Sequence, residues 1–212
     1  MINGALAEKL SAGLISLFSK LPEPEQIKQL LAYLQLLQRW NDSFNLTAVR
    51  EPEQMVTRHL LDSLSVLPWV DEGPLLDAGA GAGLPGIPLA IMRPDLEVTL
   101  LDSAGKKVRF MNHVARALQL SNIHPVQDRL EAWNCGTQPR LIISRAFSNL
   151  GDFALASRHL AGEKTSLLAM KGKRPDSELK TLPAWLQVDS IEKLTVPGLQ
   201  EDRHLVIMSL IP

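Results

Sequence analysis

A glycine-rich stretch that follows a short apolar run constrains the fold of this 212-residue chain more than any other feature. Residues 75–91 read LLDAGAGAGLPGIPLAI and contain four glycines and two prolines. A strand, a tight turn and the start of a helix explain this order, because glycine permits positive φ and lets a ligand approach the backbone without meeting a Cβ atom. The stretch therefore predicts a ligand-binding turn at the end of a strand.

The chain before this stretch has the pattern of helices. Apolar residues recur at helical spacing over residues 25–40 and 52–67, and more weakly over 1–19. Such spacing is typical of amphipathic helices that bury one face. We therefore expect an all-helical extension over residues 1–70.

The hydrophobic pattern changes near Gly73, where short apolar runs begin to alternate with helical stretches. This alternation predicts a parallel sheet with helices on both faces. The short link before the last apolar run predicts that the closing strand pairs antiparallel, in a hairpin at the sheet edge. The predicted strands are residues 74–79, 97–103, 123–128, 139–147, 166–172 and 204–211, and the predicted helices are 84–93, 106–120 and 152–160.

The composition is that of an ordinary globular protein, with 45% hydrophobic and 21% charged residues. No apolar run approaches the roughly 20 residues that span a bilayer, so we expect no membrane association. The single cysteine, Cys135, excludes an internal disulfide and favours a cytoplasmic location. A net charge of −1 does not indicate a nucleic-acid-binding protein, although a local basic patch is enough to bind phosphate.

The glycine motif by itself fits more than one ligand. Gly81, Gly83 and Gly86 fit the dinucleotide fingerprint G-x-G-x-x-G, whereas Gly79, Gly81 and Gly83 fit G-x-G-x-G with Asp77 ahead of them. A dinucleotide brings a pyrophosphate to this turn, and a carboxylate there would repel it. S-adenosylmethionine instead offers an ammonium and a sulfonium. Asp77 therefore favours the methyl donor.

A second acid, Asp102, ends the next predicted strand. A carboxylate at this position accepts hydrogen bonds from both hydroxyls of a ribose. The alternative is that Asp102 caps the following helix, and the two interpretations are compatible. Asp102 thus supports a nucleoside ligand.

Several blocks in the same order go beyond a single motif: NLTAVR, RHLLDSL, LLDAGAGAGLPGIPLAI, LLDSAGKKVRF, ISRAF and AMKG. Together they resemble the bacterial small-subunit ribosomal RNA methyltransferase G family, formerly named glucose-inhibited division protein B, over nearly the whole chain. The resemblance implies a Rossmann-like class I S-adenosylmethionine-dependent methyltransferase. Such a fold has a mostly parallel seven-stranded sheet with helices on both faces and an antiparallel edge strand. Here the extension over residues 1–70 would pack on a core over 71–212 as a single domain, 1–212.

The resemblance also implies an activity and its partners. The family transfers the methyl group of S-adenosylmethionine to N7 of a specific guanine in 16S ribosomal RNA, near the decoding region. The expected partner is this RNA, in the small ribosomal subunit or an assembly intermediate, and no metal is expected.

Cofactor contacts fall, by resemblance, on Gly79, Leu84, Leu130, Glu131 and Arg145. From the residues alone, Leu130 and Glu131 fit an ordinary helix start equally well. With the residues argued from the glycine turn, the predicted cofactor set is Asp77, Gly79, Gly81, Leu84, Asp102, Leu130, Glu131 and Arg145.

No residue is assigned a chemical step. The chain has SRAF where enzymes that methylate exocyclic amines of bases tend to carry Asn/Asp-Pro-Pro-aromatic, and Cys135 lies in a predicted loop. Guanine N7 carries no proton in the neutral base, so proximity and alignment suffice, without a covalent intermediate. Arg145 could hydrogen-bond guanine O6, contact a phosphate or hold the cofactor's surroundings.

Predicted RNA contacts come from local clusters. Lys171, Lys173 and Arg174 follow the fifth predicted strand directly to the rim of the sheet. Asn45 fits a substrate contact or a simple turn equally well. Lys106 and Lys107 fit a solvated surface better.

Three other classes stay open at this point. They are a methyltransferase that acts on another RNA, a protein or a small molecule, a dinucleotide-dependent oxidoreductase, and a nucleoside-binding module without catalysis. Binding of S-adenosylhomocysteine rather than NAD would exclude the oxidoreductase.

Overall fold

A computed structural model describes residues 4–71, 73–145, 147 and 149–211. Its first third is helical, as predicted, although residues 1–3 of the first predicted helix lie outside the described residues. The region predicted as one helix over residues 52–67 is a continuous helical stretch with a π-helical segment in the middle. The elements are α1 (Gly4–Phe18), α2 (Pro24–Phe44), α3 (Pro52–Met55), the π-helical segment (Val56–Leu61), α4 (Asp62–Leu64) and a 3₁₀ turn (Leu67–Trp69).

Both ends of α2 are fixed by local chemistry. Pro24 stands at its first turn, where a missing N–H costs nothing. The side chains of Glu23 and Gln26 form a reciprocal capping box. Asn45 ends the helix in the left-handed region at φ 47°, and its N–H donates to the carbonyl of Asn41. The helix is therefore four residues longer at its C-terminus than the apolar periodicity predicted.

The second part is one mixed sheet of seven strands in the order β3-β2-β1-β4-β5-β7-β6. Strands β1 to β5 are all parallel to one another. The strands are β1 (Leu75–Ala78), β2 (Val98–Asp102), β3 (Ile123–Gln127), β4 (Leu141–Ser144), β5 (Ser166–Lys171), β6 (Leu186–Leu194) and β7 (Arg203–Leu210). The helices between them are α5 (Gly86–Met92), α6 (Gly105–Ala117), α7 (Leu150–Ser157) and α8 (Asp176–Leu179).

The order of the strands reverses direction next to β1. From β1 the chain builds outward through β2 and β3 on one side, and then returns to build β4 and β5 on the other. Ligands of open parallel sheets bind outside the carboxyl ends of the strands at such a switch point. The glycine turn follows β1 at this place.

The hairpin at the sheet edge is antiparallel, as predicted, but the closing strand is not the outermost one. β7 lies between β5 and β6 and is antiparallel to both. The reason is burial: Leu205, Val206 and Met208 of β7 are fully buried. The outermost strand is β6, whose polar residues leave most of it partly exposed.

Two apolar clusters cover the two faces of the sheet. One joins Leu14 of α1 and Leu30 of α2 to Ile143 of β4, and the other packs Phe153 of α7 on the opposite face. β4 is shorter than the predicted strand 139–147, and Ala146 of that prediction lies outside the described residues. No described helix is both long enough and apolar enough to cross a membrane.

Candidate functional site

The glycine turn adopts the conformation that its sequence predicts. Gly79, Gly81 and Gly83 have φ values of 74°, 62° and 87°, a region that residues with a Cβ rarely enter. The N–H groups of Gly79 and Ala80 both donate to the carbonyl of Leu101 in β2 at 2.9 Å. The turn is thereby fixed against the neighbouring strand.

Asp77 lies beneath this turn with no exposed surface. Its Oδ2 accepts the N–H of Gly86, the first residue of α5, at 2.7 Å. Among the described residues, Oδ1 has no hydrogen-bond partner. Burial raises the pKa of this carboxyl from 3.8 to about 7. Gly86 is required here because a Cβ atom would lie 2.8 Å from Oδ2.

Asp102 connects the end of β2 to the glycine turn. Its Oδ2 accepts the N–H of Gly81 at 2.9 Å and a hydrogen bond from Lys107 Nζ at 3.1 Å. Its Oδ1 accepts the N–H of Ala104 at 2.9 Å. Because Ala104 is the N-cap residue of α6, Asp102 is not the capping residue that the alternative interpretation required.

A pocket of about 320 Å³, here called pocket A, opens at the carboxyl ends of β1, β2 and β3. Its volume is at the small end of the roughly 300–1,000 Å³ typical of small-ligand pockets. It brings together four of the predicted cofactor residues. Its wall includes Gly79, Asp102, Lys107, Leu130, Glu131 and Phe147.

A second pocket, here called pocket B, has a volume of about 340 Å³ and lies at the carboxyl ends of β4 and β5. Arg145 belongs to its wall, whereas Phe147, two residues further on, belongs to pocket A. Two described residues that follow β4 therefore line different pockets. The charged and titratable residues of pocket B are Arg58, His59, Asp62, Arg145, Lys171, Arg203 and His204.

The comparisons with known proteins agree with one another. The family described as rRNA small subunit methyltransferase G matches residues 26–206. The chain belongs to this family. It is 49% identical over 203 residues to ribosomal RNA small subunit methyltransferase G of Pseudomonas aeruginosa (strain LESB58), covering 95% of this chain and 94% of that protein. It is also 49% identical to the Pseudomonas syringae pv. syringae (strain B728a) protein of the same name, with 98% and 97% covered.

Solved structures that resemble this methyltransferase G family member do so in fold alone. The glycopeptide N-methyltransferase MtfA, solved with S-adenosyl-L-methionine, aligns with a TM-score of 0.62 at 13% identity, covering 73% of this chain and 88% of that one. TrmN from Thermus thermophilus aligns with a TM-score of 0.57 at 15% identity, covering 74% and 53%. The predicted Rossmann-like class I methyltransferase fold is confirmed.

Besides Arg145, three predicted cofactor residues of this family member lie outside the wall of pocket A. Leu84 is 3% exposed and packs in the apolar cluster. Asp77 is buried beneath the turn, and Gly81 reaches the pocket through its hydrogen bond to Asp102. Leu84 and Asp77 are therefore placed to support the turn.

The NLT block of the family, residues 45–47, is tied to the π-helical segment. Thr47 Oγ1 and His59 Nε2 are hydrogen-bonded at 2.9 Å, and the N–H of Thr47 donates to the side chain of the buried Asn41. Burial lowers the pKa of His59 to about 4, so its ring is neutral at physiological pH. Asn45 itself is exposed, and its Oδ1 accepts from Arg50.

The predicted basic cluster divides into two parts. Lys171 lines pocket B and forms an ion pair with Glu178 at 2.9 Å. Lys173 and Arg174 are exposed outside the pocket wall, and Arg174 pairs with Asp176. Among the described residues, no group of three or more His, Cys, Asp and Glu side chains could hold a metal ion.

Sequence reasoning missed Tyr33, which is fully buried on α2. Its hydroxyl donates to the carbonyl of Ala82 in the glycine turn at 2.8 Å, and burial raises the pKa of the phenol far above its usual range. A lone tyrosine on the apolar face of a leucine-rich helix was the available signal, because a buried hydroxyl needs a partner. The extension thus supports the turn directly.

Proposed function

We propose that the protein transfers the methyl group of S-adenosylmethionine to N7 of a specific guanine in 16S ribosomal RNA, near the decoding region. One observation carries the proposal: an acid-bearing pocket A and a cationic pocket B lie at the carboxyl ends of strands on opposite sides of the switch point of the sheet. The first suits a nucleoside with a positive charge, and the second suits a polyanionic acceptor.

The residues of pocket A fit S-adenosylmethionine. Asp102 would accept the ribose hydroxyls, and Leu130 would flank the adenine, with backbone groups of Leu130 and Glu131 at its ring edge. Gly79 leaves room for the ligand beside the turn. When bound, the cofactor supplies an electrophilic methyl group on a positively charged sulfur.

Pocket B would hold the acceptor nucleotide. Guanine N7 has an unshared pair in the ring plane and no proton to lose, so the protein needs no general base. The contribution of the chain is to align the base with the methyl group and to exclude competing poses. We assign Arg145 to the acceptor side because it lines pocket B.

The substrate is proposed to be 16S RNA within the small subunit or an assembly intermediate, and the site of action the cytoplasm. We also propose that the extension over residues 1–70 and the core over 71–212 act as one domain. The hydrogen bond from Tyr33 to the glycine turn and the apolar cluster that includes α1, α2 and β4 support this.

Lys173 and Arg174 are proposed to contact RNA phosphates beyond pocket B, with Asn45 on the helical side. Lys173→Glu is expected to weaken binding to small subunits several-fold at low salt and to reduce the slope of log K against log salt by about one. Affinity for S-adenosylhomocysteine should not change. Filter binding over a salt series measures the first effect, and titration calorimetry the second.

The matched control is Lys164→Glu, which makes the same charge change at an exposed position before β5, at the opposite end of the sheet. It should bind RNA like the wild type. Equal losses in both variants would show that only the overall charge matters.

The donor and the acceptor are tested separately. Titration calorimetry should show binding of S-adenosylhomocysteine and none of NAD. With radiolabelled S-adenosylmethionine, label should enter the RNA of small subunits from a strain that lacks this gene, and the rate should be compared on naked 16S RNA and assembly intermediates. Label in ribosomal protein, or tight NAD binding without S-adenosylhomocysteine binding, contradicts the proposal.

A further inference from the structure

The buried carboxylate of Asp62, on the helical extension, contacts two arginines that lie at strand ends of the sheet. Its side chain is 4% exposed. Oδ1 accepts from Arg203 Nε at 2.9 Å, and Oδ2 accepts from Arg145 Nη1 at 3.3 Å. Arg145 follows β4 and Arg203 begins β7, so the contacts bring two separate strands to one point in the wall of pocket B.

The π-helical segment provides a second acceptor for Arg145. In an α-helix the N–H of Asp62 would donate to the carbonyl of Arg58. Here it donates to the carbonyls of Thr57 and His59, and the Arg58 carbonyl accepts from Arg145 Nη1 at 3.2 Å. A π-helical turn inside an α-helical stretch frequently lies at a functional site. The irregular turn thus places two acceptors, four residues apart, on the same guanidinium nitrogen.

The charge around Asp62 separates this arrangement from a simple structural ion pair. Asp62 is the one carboxylate among the described residues that line pocket B, against four lysine and arginine side chains. A buried ion pair is weak evidence for stability, because apolar side chains of similar volume serve as well. A carboxylate that fixes two arginine forks at an open pocket instead orients donors for a planar or anionic ligand.

We propose that Asp62 is a positioning residue for methyl transfer: it holds Arg145 and Arg203 in the orientation in which they meet the acceptor nucleotide. The helical extension is then part of the acceptor site, through Asp62 and the Arg58 carbonyl. This inference rests on the proposed function.

The test is Asp62→Asn, which keeps the shape of the side chain and one acceptor oxygen. Because one arginine loses its partner, kcat should fall at least about tenfold. Binding to small subunits should stay equal or become tighter, since a negative charge leaves a cationic pocket. Affinity for S-adenosylhomocysteine should not change. A purely structural role predicts instead that kcat, subunit binding and thermal stability fall together.

The matched control is Glu201→Gln, which removes an exposed carboxylate that pairs with Arg58 outside the wall of pocket B; its kcat should equal that of the wild type. In a double-mutant cycle, Asp62→Asn should cause a smaller loss of kcat in the Arg145→Lys background than in the wild type, since part of its effect passes through Arg145. If Asp62→Asn does not fold, Arg203→Lys, which keeps the charge and loses the Nε contact, should show the same fall in kcat with retained binding.

A kcat of Asp62→Asn equal to that of the wild type, additive losses in the cycle, or parallel losses of binding and stability would each overturn the role of Asp62. Failure of the wild-type protein itself to methylate subunits would count against the proposed function instead.

Discussion

Asp102→Ala is expected to lower the affinity for S-adenosylhomocysteine at least about 100-fold, since two hydrogen bonds to a carboxylate are worth about 1.5–3 kcal/mol each. The substitution removes the proposed ribose acceptor from pocket A. It also leaves the N–H groups of Gly81 and Ala104 without the acceptor that now holds them. Titration calorimetry on the folded variant measures the change.

The matched control for Asp102 is Asp95→Ala. Asp95 is an exposed acid that pairs with Arg93 before β2, at the opposite end of that strand. Its removal should leave ligand affinity unchanged. If Asp102→Ala binds within about threefold of the wild type, which is under 1 kcal/mol, pocket A is not the nucleoside site.

Asp77→Asn should remove a pH dependence of stability. Burial raises the folded-state pKa of Asp77 from 3.8 to about 7, so the folded protein holds this proton more tightly than the unfolded chain does. The contribution of Asp77 to the stability of the wild type therefore falls as the pH rises from about 4 through about 7. Asparagine keeps an acceptor for the Gly86 N–H and does not titrate.

The free energy of unfolding of Asp77→Asn minus that of the wild type should accordingly increase by on the order of 3 kcal/mol from pH 5 to pH 8. His59, whose pKa is lowered to about 4, titrates in both proteins and cancels in the difference. Urea unfolding over this pH range measures it. Parallel curves would show that Asp77 is ionised in the folded state throughout.

The same carboxylate links pH to cofactor binding. S-adenosylmethionine carries a net positive charge, so it should bind the ionised form of Asp77 more tightly and its affinity should rise with pH near 7. The rise should be absent in Asp77→Asn. The role of Asp77 as a counter-charge stays a prediction until this is measured, because the side chain supports the turn from beneath.

The sequence predicted the fold well where hydrophobic periodicity is strong. β1 to β5, the helices between them and the long α2 are all visible as patterns. β6 was not assigned to any segment because its run 186–194 is rich in polar residues, and only the pairing with β7 identifies it. The π-helical segment 56–61 could not be predicted either, since its apolar spacing resembles that of an α-helix.

The candidate site was predictable only in part. The residues of pocket A follow strand ends in a local motif, so Gly79, Asp102, Leu130 and Glu131 could be selected from the sequence and the resemblance. Pocket B combines residues that are far apart in the chain, such as Arg58, Arg145 and Arg203. Local patterns carry no information about such distant pairs. Asp62 in particular lies in a helical block whose apolar face is its only clear signal.

The most direct test of methyl transfer to guanine N7 is to map the methyl group at nucleotide resolution. Small subunits from a strain that lacks this gene are incubated with the purified protein and S-adenosylmethionine, and the 16S RNA is then probed for N7-methylguanine. We predict one modified guanine near the decoding region, with Asp102→Ala inactive under the same conditions. Methylation of a different base atom, of protein, or of many guanines without preference would contradict the proposed function.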